Sequence, residues 1–231
     1  MKIGIIGAMD VEVASLKKAM DIERTVTKAG MEFCEGTLGR VSAVVVKCGI
    51  GKVNAGMCVQ ILADLFEVTH ILNTGIAGSL NNDINIGDIV VSKDAVYHDM
   101  DVTSLGYRPG EVPGMGFVAF KADEELRLSA VKACREAAPD IQVFEGRIAS
   151  GDQFIGERAR KEWIRSSFTG DCTEMEGCAI AQAAYLNHLP FIIIRAISDK
   201  ADESVSVSYE EFEGKAAEHC ARLVRYMMEH M

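Results

Sequence analysis

The sequence lacks both an excess of basic residues and a long hydrophobic run. Its 231 residues carry a formal net charge of −10, and an acidic chain repels the phosphates of nucleic acid. No apolar stretch approaches the roughly 20 residues that cross a membrane, and the N-terminal run 1–13 is too short and too soon acidic for a signal peptide. We therefore expect a cytoplasmic protein with no nucleic-acid or membrane partner. The acidic charge does not argue against a small neutral or cationic ligand.

A paired-cysteine motif is also lacking. The chain has seven cysteines, an odd number, and none of them forms a CxxC motif. Several lie within apolar runs, where a thiol behaves as a small hydrophobic side chain. This pattern indicates reduced, buried thiols in a cytosolic protein rather than a disulfide framework.

What the sequence does contain is an alternation of Val/Ile-rich runs with helical patterns. The predicted strands are 2–7, 41–49, 70–75, 88–92, 142–150 and 190–198, and the predicted helices are 11–20, 54–66, 122–138, 176–189 and 208–230. Continuous apolar strands between helices predict an α/β fold, a three-layer α/β/α sandwich covered on both faces. A TLGR turn at 37–40 joins two strand-like runs and makes the central β-sheet mixed. No linker or repeat interrupts residues 1–231, so we predict a single domain.

Glycines recur where the predicted strands end. They are Gly7, Gly49, Gly51, Gly75, Gly78 and Gly151. In open α/β sheets ligands bind beyond the carboxyl ends of strands, and glycine lets the backbone approach a ligand closely. Each glycine alone is equally well explained by a tight turn, but their common location favours a ligand site there.

Acidic residues lie at the same strand ends. Glu12 follows the first strand on a helical ridge with apolar residues, Glu174 and Glu176 precede a helix, and Asp199 ends the strand 190–198. Each has a structural explanation as a first-turn, capping or turn acid, and Thr173 with Glu176 resembles a capping box. Arg195 is harder to explain without a partner, because an unpaired buried charge costs several kcal/mol. We expect Glu174 or Glu176 to pair with it.

Together these acids predict an apolar pocket lined by carboxylates, which suits acid–base chemistry on an uncharged organic substrate. A metal site is the alternative, because His98, Asp99 and Asp101 place donor atoms close together in the segment YHDMD. That segment is short and has no second histidine nearby, so we favour the metal-free pocket.

Eight motifs in order resemble those of the 5′-methylthioadenosine/S-adenosylhomocysteine nucleosidase family. They are GIIGAMDVEV, GIGKVNA, NTGIAGSL, GDIVVS, YHDMDVT, SGDQFI, EMEGCAIA and RAISDKAD, and they span nearly the whole chain. The resemblance implies a nucleoside phosphorylase-like fold. It also implies hydrolysis of the bond between adenine and a 5-thio-substituted ribose, with water and without metal or cofactor.

The resemblance also implies roles for individual residues. Glu12 is expected to be the general base that activates water, and Asp199 the general acid that protonates adenine N7. Glu176 is expected to accept hydrogen bonds from the ribose hydroxyls, which leaves Glu174 as the structural partner of Arg195. The remaining substrate-binding positions implied are Gly78 and Ile76 in NTGIAGSL, Phe154 and Ile155 against adenine, Ser198, Met175 on the sugar, and Met9, Ile50, Met175 and Tyr209 around the thioalkyl tail.

The family is dimeric, and Val102, Leu105 and Pro113 match positions that enter the neighbouring subunit's site. The resemblance therefore implies a homodimer with shared active sites. Ile76, Leu105 and Tyr209 depart from residues common in the family, which are serine at the first and phenylalanine at the other two. These departures leave the ranking of 5′-substituted adenosines, including 5′-deoxyadenosine, undecided.

Two other functions remain as alternatives. A phosphate-dependent purine nucleoside phosphorylase of the same fold would need a phosphate site of N–H groups, hydroxyls and arginines, whereas Glu12 would repel an attacking anion. A non-catalytic nucleoside-binding sensor would keep Phe154 and Glu176 but would need neither Glu12 nor Asp199. The presence of both acids favours the hydrolase.

Overall fold

The structure is a computed structural model that describes residues 1–202 and 205–231. Its strands are β1 (Lys2–Gly7), β2 (Asp21–Lys28), β3 (Met31–Leu38), β4 (Val41–Lys47), β5 (His70–Ser79), β6 (Ile89–Tyr97), β7 (Phe120–Lys121), β8 (Val143–Ser150), β9 (Cys172–Glu174) and β10 (Phe191–Asp199). Its helices are α1 (Asp10–Ala19), α2 (Lys52–Phe66), α3 (Glu124–Ala137), α4 (Arg158–Phe168), α5 (Gly177–Leu186) and α6 (Val205–His230), and a 3₁₀ turn spans Thr103–Leu105.

The ten strands form one mixed sheet. β1 is parallel to both β4 and β5, and β10 is parallel to β5 but antiparallel to β6. The predicted hairpin is present, because β3 pairs with β4 in antiparallel register, with Leu38 opposite Val41. The mixed sheet of the sequence prediction is therefore confirmed.

Helices cover both faces of this sheet. Alternate residues of the central strands point to opposite faces: Ile5 of β1 belongs to an apolar cluster with residues of α1, α3 and α6, whereas Ile6 belongs to a cluster with residues of α2 and α5. A smaller apolar cluster joins α4 to β6 and β8. This arrangement of two helical layers on a central sheet confirms the predicted three-layer α/β/α sandwich.

Part of the sheet closes on itself. One edge of β5 pairs with β10 over Ile71–Gly78, and its other edge pairs with β1 and then, at Gly78 and Ser79, with β9. β9 continues to β8, β8 to β6, and β6 back to β10. The pairings β5–β9, β9–β8, β8–β6, β6–β10 and β10–β5 close a ring of five strands. The sequence does not predict this ring.

Several elements differ from their predicted bounds. β5 and β6 extend beyond the predicted 70–75 and 88–92, and α4, β2, β7 and β9 are additional. Glycines at positions 75 and 78 oppose strand structure locally, but pairing with β10 overrides this tendency. β2 escapes detection because most of its residues are exposed and polar.

None of the helices in the described part of the chain is both long and apolar enough to cross a membrane. All seven cysteines are buried and free, as predicted.

Candidate active site

A pocket opens where β1, β4, β5, β8, β9 and β10 end. It is lined by Ala8, Met9, Glu12, Ile50, Ile76, Ala77, Gly78, Gln153, Phe154, Ile155, Thr173, Glu174, Met175, Glu176, Ser198, Asp199 and Tyr209. Four carboxylates thus line a wall that is otherwise mostly apolar. This is the kind of site in which burial changes acid strength.

Glu12 lies in the first turn of α1 and is 4% exposed. Its Oε2 accepts hydrogen bonds from the backbone N–H groups of Ala8 (2.6 Å) and Met9 (3.0 Å), and its Oε1 accepts one from Ile76 (3.0 Å). Burial raises the pKa of Glu12, against the opposing effects of Arg195 and these three N–H groups. The carboxyl group is therefore fixed in orientation and more basic than an exposed glutamate.

Asp199 lies at the end of β10, where the pairing with β5 is irregular. The register shifts between Ile197 and Asp199, which pairs with Gly78, and such a bulge re-aims the side chains beside it. Asp199 Oδ2 accepts a hydrogen bond from the Ser198 hydroxyl (2.8 Å), and its Oδ1 accepts one from the Ala201 N–H (2.8 Å). Burial raises the pKa of Asp199 despite both bonds, so its protonated form persists to higher pH.

Two glycines of β5 make room for these acids. A Cβ atom at Gly75 would collide with Glu12 Oε1, and one at Gly78 would lie 2.7 Å from Asp199 Oδ1. Glycine at both positions therefore leaves room for the two carboxyl groups.

Glu174 is the partner of the buried Arg195. Arg195 Nη2 lies 2.5 Å from Glu174 Oε2, and both side chains are almost fully buried. Glu174 also accepts from the Ser150 hydroxyl and from the N–H groups of Glu176 (3.2 Å) and Gly177 (2.7 Å). Burial alone would raise the pKa of Glu174, but Arg195 and these donors hold it below its ordinary value. Glu174 is therefore held in its ionised form.

Glu176 precedes α5 and is 6% exposed. Its Oε1 accepts a hydrogen bond from the Gly51 N–H at 2.7 Å. Burial and the neighbouring Glu174 carboxylate raise the pKa of Glu176 to about 8. Two glutamates separated by one residue therefore differ in protonation because only Glu174 contacts the arginine.

The alternative explanation of Thr173 and Glu176 as a capping box does not hold in the structure. Thr173 lies in β9, and its buried hydroxyl has no hydrogen-bond partner in the described residues. The amide groups at the start of α5 are instead bound by the Glu174 carboxylate. Glu174 also belongs to β9 rather than to the helix.

Aromatic and thioether side chains form the apolar wall. The Phe154 ring meets Tyr209 edge-on, with centroids 5.6 Å apart, and the Tyr209 hydroxyl lies 3.4 Å from Met9 Sδ. Phe154 is 60% exposed and Ile50 is 54% exposed, whereas Ile155 is buried. An exposed phenylalanine ring at a pocket mouth offers a flat apolar surface for a planar ligand.

The comparisons with known proteins decide the family. The Phosphorylase superfamily model matches residues 2–229. A 5′-methylthioadenosine/S-adenosylhomocysteine nucleosidase from Geobacillus kaustophilus is 45% identical over 230 residues, which cover 99% of this chain and 97% of the relative. The chain belongs to the 5′-methylthioadenosine/S-adenosylhomocysteine nucleosidase family.

Solved structures of nucleosidases have the same fold. The Neisseria meningitidis nucleosidase, in complex with methylthio-immucillin-A, superposes with a TM-score of 0.96 at 35% identity and covers 100% of this chain and 99% of its own. The Colwellia psychrerythraea nucleosidase, in complex with adenine, superposes with a TM-score of 0.94 at 38% identity and covers 99% of this chain and 94% of its own.

Three residues that the nucleosidase resemblance assigns to substrate binding lie outside this chain's pocket. Val102 is half-buried, Pro113 is exposed, and Leu105 is 75% exposed. They follow β6 in the segment that contains the 3₁₀ turn. The resemblance implies that these three residues enter the site of a neighbouring subunit, not the pocket of their own chain.

Two of the three alternative metal ligands are engaged elsewhere, and His98 is buried with neither ring nitrogen hydrogen-bonded in the described residues. Asp99 pairs with Lys52 at 2.6 Å, and Asp101 Oδ1 accepts from the Thr103 hydroxyl and N–H. Within residues 1–202 and 205–231, no group of three potential ligands could hold a metal ion.

Four lining residues were not singled out from the sequence as pocket residues: Ala8, Ala77, Gln153 and Thr173. Ala8 contributes a backbone N–H to Glu12 rather than side-chain chemistry, so its residue type carries no signal. Ala77 and Gln153 lie within the motifs NTGIAGSL and SGDQFI. Their position inside these motifs is the sequence feature that indicates a place in the pocket.

Proposed function

We propose that this protein hydrolyses the N-glycosidic bond of 5′-methylthioadenosine and S-adenosylhomocysteine, and that its substrates extend to 5′-deoxyadenosine. The oxygen of water bonds to C1′ of the ribose as the bond from C1′ to adenine N9 breaks. The observation that carries the proposal is the pair Glu12 and Asp199, two buried acids with raised pKa values that line one apolar pocket.

Glu12 would act as the general base. Its three backbone hydrogen bonds fix both carboxyl oxygens, which supports accurate placement of a water molecule. A raised pKa makes the carboxylate a stronger base, and efficiency in general base catalysis increases as the pKa approaches the working pH. Glu12 would take one proton from the attacking water.

Asp199 would act as the general acid. The electron pair of the breaking bond moves into the adenine ring, and a proton from Asp199 on N7 lets adenine leave as a neutral molecule. Burial supports this role because it keeps Asp199 protonated above the pH at which an exposed aspartate ionises. The Ser198 hydroxyl, which donates to Asp199 at 2.8 Å, would stabilise the carboxylate that forms.

Glu176 would hold the 2′- and 3′-hydroxyls of the ribose, with Met175 packed on the sugar. An oxocarbenium-like transition state places positive charge on the ribose, and carboxylates in a buried pocket stabilise that charge. Four carboxylates line this pocket, and Arg195 pairs with only one of them. The pocket therefore suits a neutral substrate that becomes cationic during reaction.

Phe154 would stack on adenine, the Ile155 backbone would bind the edge of the base, and Gly78 would allow the backbone to approach it. Met9, Ile50, Ile76 and Tyr209 would surround the 5′-thioalkyl tail. All of these residues line the same pocket, which supports a substrate with a planar base at one end and an apolar tail at the other.

We also propose a homodimer with shared active sites. Apolar side chains at the pocket mouth and on α2 are exposed, namely Ile50, Val53 and Met57, and Leu105 lies 75% exposed on the segment after β6. Burial of such side chains in a subunit interface would be favourable. Val102, Leu105 and Pro113 would then complete the tail site of the partner subunit, which size measurement by light scattering and a Leu105→Asp variant would test.

The test of the reaction is release of adenine from 5′-methylthioadenosine in phosphate-free buffer. We expect adenine and methylthioribose in equal amounts, at a rate that added phosphate leaves unchanged. A reaction that requires phosphate and yields a ribose 1-phosphate would establish a phosphorylase instead. Binding of the nucleoside without release of adenine would establish a non-catalytic sensor.

Substitution of the two acids tests their roles. Glu12→Gln and Asp199→Asn should each lower kcat by about 10²–10⁴-fold, the usual contribution of a placed acid or base. Asp88→Asn is the matched control, because Asp88 is also buried but lies outside the pocket lining. A near-normal kcat in either pocket variant would remove that residue from the mechanism.

A further inference from the structure

A network of charges includes Asp152, two residues before the exposed Phe154, and is distinct from the Glu174–Arg195 pair. Lys52 Nζ lies 2.6 Å from Asp99 Oδ2, and the same oxygen accepts a hydrogen bond from the Asp152 N–H at 2.9 Å. Asp152 Oδ1 in turn accepts from the Lys52 N–H at 2.9 Å. The three residues therefore close a ring of hydrogen bonds, called here the Lys52 network.

The Lys52 network joins three segments that are distant in sequence. Lys52 begins α2, directly after the turn that contains Ile50 and Gly51, Asp99 follows β6, and Asp152 follows β8. Asp99 accepts from both of the other segments through a single oxygen, which makes it the centre of the network. Its side chain is 13% exposed and that of Lys52 is 24% exposed, so water screens this ion pair less than it screens a surface pair.

Both segments that Asp99 holds carry parts of the pocket. Asp152 is followed at once by Gln153, Phe154 and Ile155, which line the pocket. On the other side, Gly51 donates its N–H to Glu176 Oε1 at 2.7 Å. The network thus fixes the distance between the segment that carries Phe154 and the segment that binds Glu176.

The Phe154 ring itself is weakly held by its own contacts. The ring is 60% exposed, and its aromatic contact is the edge-on one with Tyr209. An exposed side chain keeps rotational and loop freedom that must be lost when a ligand is bound. A backbone held in advance lowers this cost and so increases affinity for the base.

We infer that Lys52 and Asp99 are positioning residues for the nucleosidase reaction, which hold the segment Asp152–Ile155 so that Phe154 is placed to stack on the purine base. The inference rests on the proposed function. Neither residue touches the reacting atoms, and neither contacts Glu12 or Asp199 in the described hydrogen bonds. The network therefore acts on binding of the base and leaves the proton transfers unchanged.

The first test compares Lys52→Met with wild type in steady-state kinetics on 5′-methylthioadenosine. A lost charge-assisted hydrogen bond corresponds to about a tenfold change in an equilibrium constant. We expect KM to rise about five- to tenfold while kcat stays within about twofold, the pattern of lost uniform binding. Lys52→Arg keeps the charge and should restore KM to within about twofold of wild type.

Asp99→Asn provides an independent variant in case Lys52→Met folds poorly. It keeps an acceptor for the Asp152 N–H but removes the charge that Lys52 requires, and the same rise in KM is expected. Lys17→Met is the matched control, since it breaks a lysine–glutamate pair of 3.0 Å between α1 and β3, far from the pocket lining. Its KM should equal that of wild type.

A double-mutant cycle separates positioning from general stability. In a Phe154→Ala background, Lys52→Met should change KM by less than about twofold, because the ring that the network places is absent. An unchanged KM in Lys52→Met and Asp99→Asn, or a full effect that persists without the Phe154 ring, would overturn the inference. Absence of turnover in the wild-type protein would instead refute the proposed function, so the two failures are distinguishable.

Discussion

Removal of the Arg195 side chain should destabilise the protein more than any loss of a surface ion pair. In Arg195→Met the Glu174 carboxylate stays buried without its cation, although the Ser150 hydroxyl and the N–H groups of Glu176 and Gly177 still donate to it. Breaking a buried pair by removal of one partner typically costs about 3–5 kcal/mol, because an uncompensated charge remains in the interior.

The residues around Glu174 and Arg195 determine how much stability the Arg195→Met variant loses within the range of about 3–5 kcal/mol. Three remaining donors to Glu174 reduce the cost, whereas Glu12 and Glu176 are further acids whose interaction with Arg195 is favourable and would be lost. We therefore expect about 3–5 kcal/mol, and for a chain of 231 residues this corresponds to a fall in Tm of roughly 6–20 °C.

Urea denaturation followed by circular dichroism measures the free energy of unfolding. Lys17→Met, which breaks a partly exposed pair, should lose no more than about 1 kcal/mol. The double variant Glu174→Gln/Arg195→Met should be more stable than Arg195→Met alone, because no buried charge is left without a partner. An Arg195→Met protein as stable as Lys17→Met would refute the reasoning.

Three further outcomes are expected. Phe154→Ala should raise KM for 5′-methylthioadenosine roughly tenfold in steady-state assays, because stacking of a base on an aromatic ring is worth about 1–3 kcal/mol; an unchanged KM would exclude stacking. Since burial raises the pKa of Glu176 to about 8, the folded state retains a proton that the unfolded state loses, and this contribution to stability declines from about pH 4.5 to about pH 8. Denaturation across that range should therefore show Glu176→Gln gaining stability relative to wild type as pH rises, and a constant difference would contradict the shift. All seven thiols are buried, so a thiol reagent such as DTNB should label the native protein slowly and the urea-unfolded protein fully; fast labelling of the native protein would contradict this burial.

The layered fold could be predicted from the sequence because its strands are continuous apolar runs. Residues 191–194 are four buried apolar residues in succession, and such a run is typical of a strand covered on both faces. The closed ring of five strands could not be predicted, since it depends on β9, a strand of three residues, pairing with the end of β5. A strand this short has no periodicity to detect.

In the site, too, features that depend on local sequence could be predicted, whereas contacts between distant segments could not. Arg195 within an apolar strand predicts a buried carboxylate partner, and the structure pairs it with Glu174. The contact between Gly51 and Glu176 joins residues 125 positions apart, and the Lys52 network joins three separate segments. Neither follows from spacing in the sequence, because the strands that bring these segments together are set by tertiary pairing.

The protonation states in the pocket follow from an unequal distribution of one positive charge. Arg195 lies against Glu174, which therefore stays ionised, while burial raises the pKa values of Glu12, Glu176 and Asp199. These three acids therefore resist ionisation more than exposed carboxyl groups do, and a developing positive charge on a sugar would favour their ionised forms. In the proposed mechanism the acids would stabilise a cationic transition state more than a neutral substrate, because the same burial that raises their pKa values also strengthens attraction to a cation. That difference between the two states, rather than tight binding of the substrate, is what accelerates a reaction.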